Sequence, residues 1–555
     1  MTQHDVVRLA LAALCPAVLA LSGCAPARST APADLGTGEE FVEDGEVVPL
    51  GMADDFFSAT ASEFVIAGSD TVTLEPSYAS RSTADRLSRA RELVGLRQIA
   101  LAWFLNQYLV DKEAEEANHA YGGFGAMAKA SDYASVNIRP ESTGSLTYRF
   151  DFEQLVAGRT NLMTLLHPQA AANGTRTFTL TVGLPTNVSM GELETNHEWY
   201  RSAPWNDWNP TTVPVAQRRD LVVSIRPETA SHDAWFDYDR LFADGVLDID
   251  IHFGWDYHAG YHVTHAHQMH DWLRAQGFTA PVTTFAALNR TSGAYTRTIR
   301  ANGHDVRVEV RLFYGHTGGD TDPDTDAGGR QLEADARTSL ATRDIIVYSG
   351  HSGPFYGFAL ANWRMTNEGD LDDSEMASVR MASGRYQIVV AEGCDTYQIG
   401  AAFGANPAHP ALRDLNVLTT TSFSNAATPE TVQAFLAHVL ERDSRGRHRP
   451  RTVRSLLTRL DAVSSLGFHT MYGMHGIDHD PTLHPYADRE MMGQACSANA
   501  DCGDLGNLCI RPRAGAARVC TAACTDDRGC PTGSACRQIA SAGSATIYGS
   551  ACVAR

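Results

Sequence analysis

Short apolar runs alternate with amphipathic segments between residues 236 and 490, and this pattern constrains the fold most. The runs have the length of strands, at 247–253, 345–348, 386–390 and 415–420. Parallel strands need long crossover connections, usually helical, and strands buried on both faces are apolar throughout. The sequence therefore predicts an α/β domain with a mainly parallel sheet and helices on both faces.

A hairpin signal lies within the same domain. Asn302-Gly303 joins runs at 295–301 and 306–313, and Asn-Gly is a preferred two-residue hairpin turn. The periodicity also predicts helices at 265–276, 330–342, 429–441 and 451–462, and further strands at 282–288 and 470–474.

Residues 76–235 have the pattern of a separate α+β domain without a catalytic signature. Ser82 and Asp85 have the spacing of a capping box, and apolar residues recur at helical spacing from there to Tyr108. Strands are expected at 146–152, 177–182 and 221–225. Trp199, Trp205 and Trp208 are interpreted as packing residues rather than as a ligand platform.

The N-terminus has the features of an export signal. An apolar run at 9–21 is too short to span a bilayer, and it ends in Leu21-Ser22-Gly23-Cys24. This ending resembles the lipobox of bacterial lipoproteins, which implies removal of residues 1–23 and lipidation of Cys24. Residues 24–75 are interpreted as a flexible linker, which would place the protein on a lipid anchor at the bacterial outer membrane or cell surface. An ordinary secreted protein cleaved nearby is the alternative.

The cysteines divide by position. Of the eleven, Cys15 lies in the signal, Cys24 is the lipidation site, and Cys394 stands alone in the body of the chain. The other eight fall in 494–555 as two tetrads, Cys496-x5-Cys502-x6-Cys509-x10-Cys520 and Cys524-x5-Cys530-x5-Cys536-x15-Cys552. Outside the cytoplasm such tetrads predict two disulfides each, with the connectivity open. Zinc is disfavoured because the region has no Cys-x2-Cys and no histidine.

Charge excludes one class of partner. The formal net charge of −20 argues against nucleic acid, because phosphate binding needs a basic face. Contact with a membrane is expected only through the lipid on Cys24.

Cys394 and His351 follow two apolar runs of the predicted sheet. In open α/β sheets, reactive groups lie beyond the carboxyl ends of strands, so both residues should meet at one edge. Gly350, Gly353 and Gly393 permit tight turns there. An adjacent imidazole can take the proton of a thiol, which is only slightly ionised at neutral pH.

This order of elements, an apolar run with a Gly-His turn and then an apolar run ending in Cys, resembles the caspase-like cysteine peptidases, closest to the gingipain-type branch. Gly476-Ile-Asp478-His-Asp480-Pro481 is similar to a late Gly-Asp-Pro turn of that branch. The resemblance implies Cys394 as nucleophile, His351 as acid/base, and backbone amides of Cys394 and Gly353 as the oxyanion hole. It also implies a peptide or protein substrate and no required cofactor. Ser352 and Gly393 depart from the residues usual beside the His and the Cys.

Three alternatives remain open. Cys394 could be an inert buried thiol. Histidines crowd two segments and could hold a metal, although no His-Glu-x-x-His motif is present; they are His258, His262, His265, His267, His270, His475, His479 and His484. The chain could also be a non-catalytic surface lipoprotein that uses the same fold for binding or structure.

An acidic loop resembles a calcium-binding loop. Asp322, Asp324, Asp326 and Glu333 have the spacing of positions 1, 3, 5 and 12 of the twelve-residue loop, although Ala327 stands where the turn glycine is expected. Structural calcium is therefore one prediction for this segment, and a solvated acidic loop is the other.

Overall fold

The computed structural model describes most of the chain beyond residue 55. The described residues are 39–41, 56–115, 137–166, 169–170, 176–192, 199–206, 208–228, 233–255, 260–301, 304–353, 357–421, 424, 428–444, 446–463, 471–477, 482, 493–502, 507–512, 515–524, 530, 534–541 and 547–554. The predicted signal, the lipidation site Cys24 and residues 478–481 of the Gly-Asp-Pro turn lie outside them. Within the described part of the chain, no helix is both long and apolar enough to span a bilayer.

The first part of the chain forms an antiparallel sheet covered by one long helix. The strands of this part of the chain are β1 (Glu39–Phe41), β2 (Phe56–Ser58), β3 (Ala61–Thr73), β4 (Arg139–Pro140), β5 (Thr147–Arg159), β6 (Gln169–Ala170), β7 (Arg176–Gly183) and β8 (Arg218–Pro227). The helices are α1 (Thr83–Glu115), α2 (Leu162–Leu165) and α3 (Asn187–Met190). Six strands pair in the order β4-β5-β3-β8-β7-β6, whereas β1 and β2 belong to other sheets.

Helix α1 begins where the capping box predicted. The Asp85 amide donates to the Ser82 hydroxyl at 3.1 Å, and the Ser82 amide donates to the Asp85 carboxylate at 3.3 Å. The predicted packing role of the tryptophans is confirmed, since Trp199, Trp205 and Trp208 all surround the Phe104 ring of α1.

A buried ion network joins α1 to the sheet. The Asp70 carboxylate of β3 accepts from Arg97 of α1 at 2.7 Å, and Arg219 of β8 lies 2.7 Å from its other oxygen. The Asp70 and Arg97 side chains are almost fully buried. Two guanidinium partners offset the cost of burying this carboxylate.

The linker predicted for residues 24–75 is wrong over residues 56–73. β3 lies between β5 and β8 in the sheet, and β2 adds a strand to a second sheet. The composition is rich in small and polar residues, but the first half of β3 is buried on both faces. Phe64 and Ile66 pack in the core beneath α1, whereas Ala61 packs with Phe56 and Tyr397.

The second part of the chain is the predicted α/β domain. Its strands are β9 (Val246–Phe253), β10 (Tyr295–Ala301), β11 (His304–Tyr314), β12 (Ile345–Ser349), β13 (Ser352–Gly353), β14 (Gly357–Ala359), β15 (Asp370–Leu371), β16 (Gln387–Glu392), β17 (Leu415–Thr420) and β18 (Tyr472–His475). Its helices are α4 (Tyr238–Leu241), α5 (Tyr261–Ala275), α6 (Asp326–Thr342), α7 (Asp373–Met376), α8 (Tyr397–Gly404), α9 (Glu430–Val439) and α10 (Val453–Val463).

An eight-stranded sheet runs in the order β10-β11-β9-β12-β16-β17-β18-β2. The strands from β11 to β17 in this order are parallel to one another, and β10 and β18 pair antiparallel with their neighbours. The mainly parallel sheet is therefore confirmed, and so is the hairpin of β10 and β11.

Successive residues of the sheet face two different cores, which confirms helices on both faces. Ile345 and Val347 of β12 pack with residues of α5, α9 and α10, whereas Ile346 and Tyr348 pack with residues of α6 and α8. The strand predicted at 282–288 is wrong, because Phe285–Ala287 forms a 3₁₀ turn there. The Phe285 ring stacks on the rings of His267 and Tyr314, and Phe285 is not part of a β-strand.

Four disulfides hold the C-terminal region together. Its strands are β19 (Asn507–Ile510), β20 (Val519–Ala522), β21 (Ser534–Ser541) and β22 (Ile547–Ala554), and β1 pairs with β21. The predicted pairing within each tetrad is confirmed. The bridges are Cys496–Cys509, Cys502–Cys520, Cys524–Cys536 and Cys530–Cys552.

Removing the Phe57 ring should destabilise the α/β domain, because β2 inserts Phe57 into its main core. We expect Phe57→Ala to lower the free energy of unfolding by about 3 kcal/mol in urea titrations. Val188→Ala, at a strongly exposed valine, is the control and should change it by less than about 0.5 kcal/mol. Equal effects of the two substitutions would contradict the placement of β2.

Peptide mapping of the non-reduced protein should recover one pairing in both tetrads, first cysteine to third and second to fourth. Partial reduction before digestion would separate overlapping loops. A bridge between the two tetrads, or a different order within either, would show that the described fold of this region is incorrect.

Candidate functional site

The carboxyl ends of β12 and β16 bring His351 and Cys394 to one edge of the sheet. The two strands are parallel neighbours, and Ser349 stands opposite Glu392 as the last pair of their register. His351 and Cys394 are each the second residue beyond that pair. The sequence prediction that both residues lie beyond the same sheet edge is therefore confirmed.

The two turns touch because their glycines have no side chains. A Cβ at Gly393 would lie 2.6 Å from the Cβ of Ser352 and 3.0 Å from the carbonyl oxygen of Gly350. A Cβ at Gly350 would lie 2.8 Å from the Cα of Gly254, at the end of β9. The Gly350 amide also donates to the Glu392 carbonyl at 3.1 Å. A larger residue at position 393 would separate the His351 turn from the Cys394 turn.

The environment of Cys394 keeps its thiol protonated. It is the one cysteine of the described residues outside a disulfide, and its side chain is half-buried. Burial first, and then the negative charges of Asp395 and Glu392, raise the pKa of the Cys394 thiol to about 12. Hydrogen bonds from the amide and side chain of Ser424 oppose that rise in the pKa.

Asp395 combines backbone strain with an unsatisfied buried carboxyl. Its φ of 51° is in the left-handed region, which a residue with a side chain enters at a cost. The side chain is 5% exposed, and its Oδ1 has no hydrogen-bond partner among the described residues. Burial raises the pKa of Asp395 to about 7. Both features oppose folding, so a packing role alone does not account for them.

Two threonines hold this strained turn in place. The Thr420 amide at the end of β17 donates to the Thr396 hydroxyl at 2.8 Å, and the Thr396 hydroxyl lies 2.8 Å from the Ala391 carbonyl. The Thr420 hydroxyl donates to the Gly393 carbonyl at 2.6 Å. Residues on both sides of Cys394 are therefore tied to the neighbouring strands.

Glu392 is a buried acid two residues before the cysteine. Its side chain receives hydrogen bonds from Ser349 at 2.8 Å and from the Tyr472 hydroxyl at 3.4 Å, and it also contacts Ser424. Burial raises the pKa of Glu392 to about 7, and the three hydrogen bonds limit that rise. The sequence interpretation missed Glu392, Asp395 and Ser424. The available signal was two acids flanking Gly-Cys at the end of an apolar run.

The two predicted oxyanion donors lie in facing turns. Gly353 belongs to the short strand β13, which pairs with β14, and Cys394 follows β16. The Ala359 amide donates to the His351 carbonyl at 3.2 Å, which fixes the His351 turn against β14. Their role as oxyanion donors stays a prediction.

The four predicted calcium ligands are not brought together. Asp326 begins α6 and accepts from Thr366, Asp324 accepts from Asn362, and Glu333 pairs with Arg337 within α6. Asp322 accepts from the amides of Gly318 and Asp324. The segment between positions 5 and 12 of the predicted loop is helical, so calcium binding would require it to rearrange.

The described histidines do not form a group of three that could share a metal ion, although the rings of His267 and His270 lie 6.4 Å apart between centroids. His270 lies 2.5 Å from the Tyr295 hydroxyl, His267 stacks on Phe285, and His475 contacts the rings of Phe56 and Tyr397. Within the described residues, the groups of three side chains close enough to share a metal ion consist of disulfide cysteines. His258, His479 and His484 lie outside the described residues.

No protein-family model, curated protein or solved structure matches this chain.

Replacing the buried Asp395 carboxyl should stabilise the protein at alkaline pH. The pKa of Asp395, about 7, lies above the ordinary aspartate value of 3.8, so stability from this group is complete below pH 3.8 and is lost as pH rises through 7. We expect Asp395→Asn to raise the free energy of unfolding at pH 8 by about 2 kcal/mol, and by less at pH 5. Urea titrations at both pH values measure this, and equal effects at pH 5 and pH 8 would contradict the raised pKa.

Proposed function

We propose that this chain is an exported, lipid-anchored cysteine hydrolase that cleaves peptide bonds, with an α/β domain similar to the caspase-like peptidases. Cys394 is the nucleophile and His351 the acid/base. One observation supports this most. His351 and Cys394 each lie two residues beyond the last pair of two adjacent parallel strands, in turns that contact each other.

The strain around Asp395 supports a functional site over a packing site. A buried cysteine serving only as a small apolar residue needs neither a left-handed neighbour nor two acids beside it. Here the nucleophile precedes Asp395, whose backbone strain and unsatisfied carboxyl are both unfavourable. Such costs concentrate at sites maintained for chemistry.

The proposed reaction starts from the protonated thiol of Cys394. Because the pKa of the thiol is about 12, the resting site holds a thiol rather than a thiolate. The proton passes from Sγ to a ring nitrogen of His351 as the sulfur attacks the carbonyl carbon. The imidazolium then protonates the leaving amine, which gives a thioester and a free amine. Water deprotonated by His351 hydrolyses the thioester and restores the thiol.

Backbone amides would stabilise the tetrahedral oxyanion. The amides of Cys394 and Gly353 are the candidates, because the turns that carry them face each other across the site. Separating the turns would move one donor away from the other. We therefore assign Gly393 the role of holding the oxyanion donors at the required distance.

The setting outside the cytoplasm agrees with four disulfides in the C-terminal region, which form and persist in oxidising compartments. A lipid on Cys24 would hold the protein at the membrane, with proteins or peptides outside the cell as substrates. Calcium, if bound near Asp322, would serve stability and take no part in the reaction.

A non-catalytic surface lipoprotein is the second candidate. The observation that favours it is the raised pKa of the Cys394 thiol, because reactive cysteines commonly have lowered values. In that case the fold would bind a partner or have a structural role at the cell surface, and Cys394 would be inert.

Loss of either member of the pair should abolish cleavage. The protein should be the chain without residues 1–23, with Cys24→Ser, assayed on a mixed peptide library by mass spectrometry. We expect Cys394→Ala and His351→Asn each to lower kcat/KM by about 1,000-fold or more, and the double variant to lose little further activity. His267→Asn, at an exposed histidine, is the matched control and should keep full activity.

Two results would overturn the peptidase proposal. One is cleavage that persists in Cys394→Ala. The other is absence of cleavage by the unsubstituted chain together with failure of a peptide carrying a thiol-reactive group to label Cys394, which would favour the binding role.

A further inference from the structure

Three adjacent parallel strands, β9, β12 and β16, end level with one another, and each is followed by a glycine and one further residue. The last residues of the strands are Phe253, Ser349 and Glu392. The pairs that follow them are Gly254-Trp255, Gly350-His351 and Gly393-Cys394. Trp255 therefore has the place beyond β9 that His351 has beyond β12 and Cys394 has beyond β16.

The glycine amides continue the hydrogen bonding of the sheet by one residue. The Gly254 amide donates to the Ser349 carbonyl at 2.9 Å, and the Gly350 amide donates to the Glu392 carbonyl at 3.1 Å. The turns that carry Trp255 and His351 thus leave the sheet at equivalent points, and the sequence analysis considered only the second of them.

Strand β14 joins the Trp255 turn to the His351 turn. The Trp255 amide donates to the Ala359 carbonyl at 3.0 Å, and the Ala359 amide donates to the His351 carbonyl at 3.2 Å. The Tyr348 hydroxyl also donates to the Ala359 carbonyl, at 3.3 Å. The backbone of Trp255 is therefore fixed relative to that of His351.

Trp255 supports a second tryptophan that is more exposed. The rings of Trp255 and Trp363 meet edge to face, with 6.3 Å between centroids and 87° between planes. Trp255 is 8% exposed, whereas Trp363 is half-buried. The Arg364 guanidinium lies 4.8 Å from the centroid of the Trp363 ring, and Met365 of the same loop is 65% exposed. This loop therefore carries apolar surface that the fold leaves accessible.

The loop that carries Trp363 is held at both ends by the acidic segment for which calcium was predicted. The Asn362 side chain donates to the Asp324 carboxylate at 2.6 Å, and the Thr366 hydroxyl donates to the Asp326 carboxylate at 2.6 Å. The Thr366 amide also donates to the Asn362 carbonyl at 3.1 Å, which closes the loop on itself. The tryptophan is thus held in place before a ligand arrives, which lowers the entropic cost of binding.

We propose that Trp363, supported by Trp255, forms a subsite for a large apolar side chain of the peptide substrate on the C-terminal side of the scissile bond. The inference rests on the proposed function and names a substrate preference for it. The side follows from the chemistry, because His351 protonates the leaving amine, so the leaving peptide lies on the His351 side of Cys394. The strand order β9-β12-β16 places Trp255 beyond His351 on that same side.

The spacing of the strands sets the substrate position that the subsite reads. Strand β9 is the second strand from β16, and Ala359 lies between Trp255 and His351 beyond the strand ends. Neighbouring strands are about 4.8 Å apart, so two to three spacings place Trp255 about 10–14 Å from Cys394. An extended peptide advances about 3.3 Å per residue, so this distance corresponds to about three or four residues after the scissile bond.

The test uses the chain without residues 1–23, with Cys24→Ser, on a mixed peptide library whose products are aligned at the cut. We expect large apolar residues to be enriched about three or four positions after the cut, by the spacing of the strands. Trp363→Ala should remove this enrichment and lower kcat/KM on an enriched peptide by about tenfold. Trp272→Ala, at another half-buried tryptophan, on α5, is the matched control and should keep both.

Three results of the cleavage assay would refute the subsite. They are the absence of enrichment after the cut, an enrichment before the cut in its place, and an unchanged preference in Trp363→Ala. If Trp363→Ala does not fold, Trp363→Gln replaces it, because a polar chain of similar length suits a half-buried position, and an unchanged preference in that variant has the same meaning.

Photo-crosslinking separates failure of the subsite from failure of the peptidase proposal. The Cys394→Ala chain is irradiated with a peptide library that carries benzoylphenylalanine, and the adducts are mapped by mass spectrometry. We expect adducts on the loop of Trp363 and Met365, and clearly fewer of them when Trp363→Ala is added. Such adducts without any cleavage by the unsubstituted chain would reject the peptidase and retain a binding site for apolar peptide side chains. Cleavage that depends on Cys394, without adducts on this loop, would reject the subsite alone.

Discussion

The contact between the Gly350 and Gly393 turns is the constraint on which the site depends. Parallel strands bring their carboxyl ends to one edge, but ordinary side chains there would keep consecutive turns apart. The absence of side chains at Gly254, Gly350 and Gly393 lets three successive turns pack backbone against backbone. His351 and Cys394 therefore follow adjacent strands in turns that contact each other. The surrounding threonine hydrogen bonds hold this packing against the strain at Asp395.

Residues of β2 and β3 contact helix α8, which follows Cys394. Helix α8 starts three residues after Cys394, and its Tyr397 hydroxyl donates to the buried Glu63 carboxylate of β3. Phe56 of β2 packs edge-to-face on the Tyr397 ring at 5.1 Å between centroids. The helix that follows Cys394 is thus fixed by strands that come from outside the α/β domain. The 236–490 segment alone would lack both contacts.

The sequence predicted what periodicity and local chemistry determine. The runs of β12 and β16 are apolar because both faces are buried, and the cap at Ser82 is a local hydrogen bond, so both could be predicted. β2 and β3 escaped prediction because tertiary pairing, and not composition, makes them strands. In the site, strand ends located His351 and Cys394. The buried contacts of Glu392 depend on β17 lying beside β16 and on β18 lying beside β17, a spatial relation that no local pattern encodes.

The acidic surroundings of Cys394 can be reconciled with an active cysteine outside the cytoplasm. The thiolate is the species that oxidants attack and that itself attacks disulfides, so a thiol with a strongly raised pKa is protected from both reactions. The eight cysteines of the C-terminal region need no such protection, because all of them form disulfides. Glu392 and Asp395 disfavour the thiolate at rest. Under the proposed function, His351 would take the proton of the thiol only during attack, and the high pKa of the thiol would let a reactive cysteine persist in an oxidising environment.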